Sequence, residues 1–391
     1  MTTQAEPLAL PPRVAPKIAG SRLVALDWMR GIVMLLMAVD HASGELNAGR
    51  LVTDSTFLYK AGTALPPAQF FTRWITHLCA PTFVFLAGVS LAFSLARRVE
   101  RGERPLSIDR YLFVRGLVIV AAELVPSYFW MPKGHYLFQV LYAIGTAYLF
   151  MIPLRRLPVA AAVGLAALLL MGGEALAAAN AWGPAHAATP WLATLLLVAG
   201  PRGWLVVAYP TLPWLAILLL GWGFGHALRR RPSGDQLRPG ELLAAGVGAL
   251  ALFGAARAAN GYGNLGLLRD DGSLVQWLHV SKYPPSVTYV ALELGLMLLV
   301  LAALAQSARA ARPAASTRNG PLLVFGQTPM FFYLLHIPLL AWLARLFGVE
   351  HRLGVGAAFG FAALVAALLL PACIWYRRYR TAHPTSFTRY L

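Results

Sequence analysis

Acidic residues are scarce in this chain: 16 Asp and Glu stand against 33 Lys and Arg in 391 residues, and charged residues of both signs make up only 13%. A soluble protein carries about 25%, so a chain this poor in charge and 58% hydrophobic falls outside that class. Cysteine is nearly absent. Cys79 and Cys373 both lie in apolar runs and furnish neither a metal-ligand set nor a disulfide framework. A phosphate-binding Gly-rich loop, an HExxH helix and a GxSxG elbow are all missing, which removes the common soluble enzymes built on those motifs. The "DDG" at 270–272 is a turn signal with no calcium loop around it. No fixed-period repeat or soluble domain is visible.

What is present is a series of apolar runs of roughly 20 residues, the length that crosses a bilayer core as a helix. Helices satisfy their own backbone in lipid. The sequence therefore predicts an all-α integral membrane protein, a polytopic bundle of about ten transmembrane helices. The spans fall near 23–42, 67–96, 111–129, 136–154, 157–178, 207–228, 241–260, 287–308, 321–346 and 353–376. The fifth, rich in Ala and Leu, reads as lipid-facing. The segment 185–206 is too short for a span and reads as a re-entrant or interfacial helix. Residues 1–20, with four prolines, read as a disordered cytoplasmic tail, and 21–391 as one transmembrane domain.

The formal net charge is +17, but the basic residues sit in short loops. Placing the N-terminus inside leaves 21 Lys and Arg on inner segments and 7 on outer ones. That bias predicts cytoplasmic N- and C-termini and an even number of crossings. It is a topological signal, which argues against nucleic acid as a partner and for the lipid bilayer, with an anionic cofactor as a further partner.

Ionisable residues inside spans are functional candidates, because each is costly unless paired or hydrated. "LDWMRGIVMLLMAVDH" (26–41) carries two at each end. Asp27 and Arg30 share a face near the inner surface, either as an interfacial ion pair or as a contact for an anionic cofactor. Asp40 and His41 lie near the outer surface, and Arg73 and His77, four apart on the next helix, fall in the same half. Two His, one Asp and one Arg make a candidate acid–base constellation, or a wet helix end. Pro81 is expected to kink the second helix. Arg115 and Glu123 lie two turns apart in the third span, each needing a partner. Glu293 is expected to pair with an Arg. Gln327 and His336 share the ninth span beside Tyr333 and Pro338.

Four strings, "LDWMRGIVMLLMAVDH", "RWITHLCAPTFVFLAGVS", "VSKYPPSVTYVALELG" and "VFGQTPMFFYLLHIPL", together resemble the bacterial relatives of heparan-alpha-glucosaminide N-acetyltransferase, within the wider transmembrane acyltransferases. The resemblance runs from about Arg22 to the last span. It implies acetyl transfer from cytoplasmic acetyl-CoA to an amine or hydroxyl of a glycan or other small-molecule acceptor on the periplasmic side of a bacterial inner membrane, with no metal. In that frame His41, Asp40, His77 and Arg73 are the catalytic candidates. Arg30, Asp27, Arg115 and His336 are the donor-binding candidates, and Lys282 and Tyr283 line the acceptor mouth. The chain departs from the lysosomal enzyme's pattern, in which an Asn takes the place of His41 and the important His lies in the following loop; here 43–66 has no His. Nor is a counterpart of that enzyme's N-terminal luminal region expected. His41 is favoured as the base, with Asp40 biasing its ring. A transporter or lipid-binding protein would also use intramembrane charge, though it often carries inverted repeats. A homo-oligomer is compatible with the sequence, and nothing in it selects the acceptor.

Overall fold

The computed structural model describes residues 23–181, 190–232, 237–310, 320–383 and 386–390; the N-terminal tail expected over 1–20 lies outside them. Helices dominate. In chain order they are α1 (Val24–Leu46), α2 (Pro67–Ile75), α3 (Cys79–Glu100), α4 (Pro105–Ala122), α5 (Leu124–Trp130), α6 (Val140–Leu154), α7 (Val159–Ala181), α8 (Trp191–Leu196), α9 (Thr211–Arg229), α10 (Pro239–Ala259), α11 (Leu274–Leu278), α12 (Val287–Ala310), α13 (Pro321–Gln327), α14 (Pro329–Phe347) and α15 (Val355–Ala382). They form ten helical segments at the predicted positions, and the protein is an all-α polytopic membrane protein. Eight segments are long and apolar enough to cross a membrane. The other two are α1, which carries Asp27, Arg30, Asp40 and Glu45, and α6, whose 15 residues reach only about 22 Å.

Helices approach closely where side chains vanish. A Cβ at Gly221 of α9 would collide with the Phe85 carbonyl of α3, and one at Gly88 with Leu218. Gly31 of α1 and Gly326 of α13 stand in the same relation to Leu322 and Asp27. Small residues permit this backbone contact in lipid, where dispersion and hydrogen bonding hold helices together. α7 turns Leu168, Met171 and Leu176 outward, as a lipid-facing helix does.

Three departures from the sequence reading have local causes. The second span is interrupted by a 3-10 turn at Thr76–Leu78 before α3 begins. Pro81 has no N–H for the His77 carbonyl four residues back, and the Tyr289 hydroxyl donates to that carbonyl instead, at 3.0 Å. The ninth span breaks at Thr328, with Pro329 opening α14. The break frees the Gln327 carbonyl, which accepts from Arg380 at 2.8 Å. Of the segment expected to form a re-entrant or interfacial helix, Trp191–Leu196 is helical, and 185–189 lie outside the described residues. α8 has six residues, and β2 (Gly200–Arg202) and β3 (Leu205–Val207) follow as an antiparallel pair. Strand β1 (Tyr136–Phe138), taken from the expected fourth span, joins β3 in parallel.

The two ends of the bundle differ in charge. One end gathers the arginine-rich connections: Arg155 meets Asp109 at 2.6 Å, Arg229 meets Glu100 at 2.8 Å, and Arg309 donates to the Leu237 carbonyl at 2.9 Å. At the opposite end Lys282 N–H donates to the Asp54 carbonyl at 2.8 Å and His351 N–H to the Glu45 carbonyl at 3.0 Å. α1 runs from the first end to the second.

Candidate functional site

A cavity of about 420 Å³ opens at the arginine-rich end, between α1, α3, α4, α6 and the α13–α14 break. That volume lies in the range of small-molecule sites. Arg30, Arg97, Arg115 and Arg380 line it, and Asp27 is the only carboxylate among the described residues that do. Asp27 accepts from Arg30 at 2.8 Å and from Gln327 at 3.3 Å, and Arg30 also donates to Ser90 at 2.7 Å. Arg115 has no carboxylate beside it. It donates to the Tyr111 hydroxyl at 2.6 Å and lies 5.4 Å from the Tyr148 ring, while its Nε is buried without a partner. Arg115 and Glu123, each expected to need a partner, find separate ones. Glu123 accepts from the Tyr142 N–H at 2.9 Å, capping α6 from a neighbouring helix, where the open N–H groups and the helix dipole favour a carboxylate. Arg97 and Arg115 line it beyond the Asp27–Arg30 pair, and the cavity suits an anion.

A second cavity, of about 740 Å³, opens at the opposite end. Asp40, His41, Glu45, Asn47, Arg50, Trp130, Gln139, Tyr283, Arg345 and Glu350 face it. Asp40 is held by Arg73 at 2.6 Å, Arg50 at 3.2 Å and Thr76 at 3.1 Å. Arg73 also grips Asp54 at 2.6 Å and donates to the Tyr283 hydroxyl at 2.9 Å. Burial opposes the charge on Asp54, but the guanidinium of Arg73 and the His77 imidazole win and hold its carboxyl far below the usual carboxylate range. His77 faces Asp54 at 3.3 Å and is buried. Asp40, Arg73 and His77 therefore share one buried ionic network behind the cavity. Arg345 pairs with Glu350 at 3.2 Å, and Glu45, 9% exposed, faces the same cavity with no side-chain hydrogen bond or ion pair among the described residues.

His41 belongs to a different arrangement. Its Nδ1 lies 2.6 Å from His336 Nε2, and His336 Nδ1 lies 3.0 Å from the Phe332 carbonyl. A carbonyl only accepts, so His336 Nδ1 carries the proton. His336 Nε2 must then accept, and His41 Nδ1–H donates to it. The basic lone pair of His41 is thus on Nε2, which has no hydrogen-bond partner among the described residues. This corrects two expectations. The partner that orients His41 is His336 and not Asp40, since neighbouring helical residues point to different sides. His336 itself does not line the arginine-rich cavity; it is fully buried behind His41. Lys282 is 3% exposed, with its ammonium 5.3 Å from the Tyr283 ring; Tyr283 faces the cavity and Lys282 does not. The charged group that acts on buried Glu293 is Lys282, not an Arg.

Sequence reasoning missed Glu45, Asp54, Trp130 and the role of Tyr333. Glu45 lies four residues beyond His41, on the same face, but past the expected end of the span at 42. Tyr333 lines the arginine-rich cavity, and its ring centroid is 6.2 Å from that of His41. Trp130 faces the other cavity, 4.5 Å from His41. These three rings and His336 form the wall between the cavities. His41 lies eleven residues along α1 from Arg30, about 16 Å.

The described residues hold no group of three or more His, Cys, Asp or Glu placed to bind a metal ion. No curated protein matches the chain. The model of the catalytic domain of heparan-alpha-glucosaminide N-acetyltransferase matches residues 22–257, which include both faces of α1 and the Arg73–Asp54 network, and stops short of the strings at 280–295 and 324–339. That match spans more than half of the chain, and the chain belongs to the heparan-alpha-glucosaminide N-acetyltransferase family.

Proposed function

We propose that this protein transfers acetyl from acetyl-CoA, bound at the arginine-rich cytoplasmic end, to an amine on a glycan or other small acceptor that enters from the periplasmic end. The observation that carries this reading is His41, with a free Nε2, in a wall between two cavities of different electrostatic character. Reading α1 and α6 as crossings as well gives ten, with both termini on the arginine-rich side, as the charge bias requires.

Coenzyme A is anionic, and arginine binds phosphate through charge-assisted bonds. Arg97 and Arg380 at the mouth and Arg115 deeper in would hold its phosphates, with the pantetheine arm running along α1 toward His41. In the other cavity unpaired Glu45 favours a cationic amino group over a neutral hydroxyl. The bound ammonium first releases one proton to water in the open cavity; the neutral nitrogen then attacks the thioester carbonyl carbon and gives up a second proton to His41 Nε2. The C–S bond breaks, and the coenzyme A thiolate leaves and takes the proton back from His41. His336 holds Nδ1–H throughout, so the ring neither rotates nor changes tautomer.

The test is N-acetylation of an amino sugar by purified protein with labelled acetyl-CoA. A general base contributes about 10²–10⁴-fold, so His41→Ala lowers turnover by that order while acetyl-CoA binding, read by calorimetry, is kept. Wild-type protein that neither binds acetyl-CoA nor forms product would sink the proposal.

A further inference from the structure

Acyl transfer places negative charge on the thioester oxygen as the tetrahedral intermediate forms, and nothing assigned so far meets that oxygen. Donors fixed in a dry site stabilise such charge without reorganising. The wall between the cavities holds one group of that kind. The Tyr333 hydroxyl is buried and has no hydrogen-bond partner among the described residues, and the residue is 5% exposed. A buried phenol ordinarily finds a partner, and leaving one unpaired costs about 1–3 kcal/mol. An orphan of this kind calls for a reason.

Its position supplies one. Tyr333 stands on α14 one turn before His336, with ring centroids 5.6 Å apart. It faces the arginine-rich cavity, while His41 faces the opposite one. The reacting carbon has to come to the wall, since donor and acceptor enter from its two sides. There the base is on the acceptor side and Tyr333 on the donor side.

We infer that Tyr333 is a catalytic residue whose hydroxyl donates a hydrogen bond to the thioester oxygen and to the oxyanion formed from it. The step is balanced. As the acceptor nitrogen bonds to the carbonyl carbon, the π electrons move to oxygen, which the Tyr333 O–H stabilises without giving up its proton. They return as the C–S bond breaks. The inference rests on the acetyl-transfer reading and goes beyond it in assigning the oxyanion donor.

Tyr333→Phe removes only the hydroxyl. Because that hydroxyl has no partner among the described residues, its removal relieves a desolvation cost, and the variant assembles with a melting temperature at or above that of wild type. Loss of one oxyanion donor costs about 10²–10³-fold in kcat, with the KM and calorimetric affinity for acetyl-CoA unchanged. A Tyr333→Phe kcat near wild type would overturn the assignment and leave acetyl transfer standing. So would a loss confined to acetyl-CoA affinity, which would make Tyr333 part of the donor wall, or failure of the variant to assemble, which would make the hydroxyl structural. Absence of acetylated product from the wild type would overturn the underlying reading, and this inference with it.

Discussion

The pair formed by His41 and His336 makes a quantitative prediction. His336 is fully buried and stacks on Phe332 with ring centroids 5.2 Å apart and planes 11° from parallel. Phenylalanine keeps that stack and nearly the same volume, so His336→Phe preserves the fold. It deletes the acceptor at 2.6 Å that fixes Nδ1–H on His41. His41 is then free to turn and to carry its proton on Nε2, the nitrogen that has to be basic. In catalytic triads, the wrong tautomer alone costs about 10⁴-fold. His41 keeps its contact with Trp130 at 4.5 Å and so part of its orientation, and the loss here is about 10²–10³-fold in kcat, or roughly 3–4 kcal/mol. Because His336 does not line the donor cavity, the KM for acetyl-CoA stays near wild type. The assay is release of coenzyme A thiol during acetylation of an amino sugar, with thermal unfolding in parallel. His336→Gln, which can accept from Nδ1–H, recovers part of the rate. A His336→Phe enzyme within about threefold of wild type in kcat would refute the relay and remove His336 from the site.

Two further substitutions test other parts of the account. Glu45→Gln keeps the shape of the acceptor cavity and removes its unpaired charge. It raises the KM for a cationic amino sugar while leaving acetyl-CoA affinity alone, and an unchanged KM would free the acceptor from that contact. Asp54→Asn takes from Arg73 one of its two carboxylates, Asp40 remaining at 2.6 Å, and removes the carboxylate facing His77; it costs about 1.5–3 kcal/mol of stability near neutral pH. The native carboxyl is depressed, so its contribution is complete above the unfolded value of about 3.9 and declines as pH falls below it. The stability gap between wild type and variant is therefore flat at neutral pH and narrows below about pH 4. A gap that widens on acidification would contradict the network.

Much of this fold was legible because length and hydropathy decide which segments can enter lipid. The ten segments stand where apolar runs predicted them. Boundaries were lost where polar demands end a helix. α1 runs on to Leu46, beyond the apolar stretch, because Glu45 opens onto a cavity and not onto lipid. The fourth span yields its first residues to a strand, since Tyr136–Phe138 pair with Leu205–Val207, a partner nearly 70 residues away that no local pattern announces. In the site, sequence proximity misled: Asp40 and His41 are adjacent yet serve separate networks, and the partner of His41 is 295 residues distant. Arg73, Asp40 and His77 do meet, through Asp54, a loop residue with no motif to mark it.

The central claim is that acetyl passes through the wall at His41, with donor and acceptor on opposite faces. The direct test is a proteoliposome loaded with labelled acetyl-CoA, with amino sugar supplied only outside and protein orientation fixed by labelling a cysteine introduced near Pro232. The account predicts acetylated sugar outside the vesicles, formed only by molecules whose arginine-rich end faces the lumen, and loss of that product in His41→Ala. Product formed only when donor and acceptor share one compartment would contradict it.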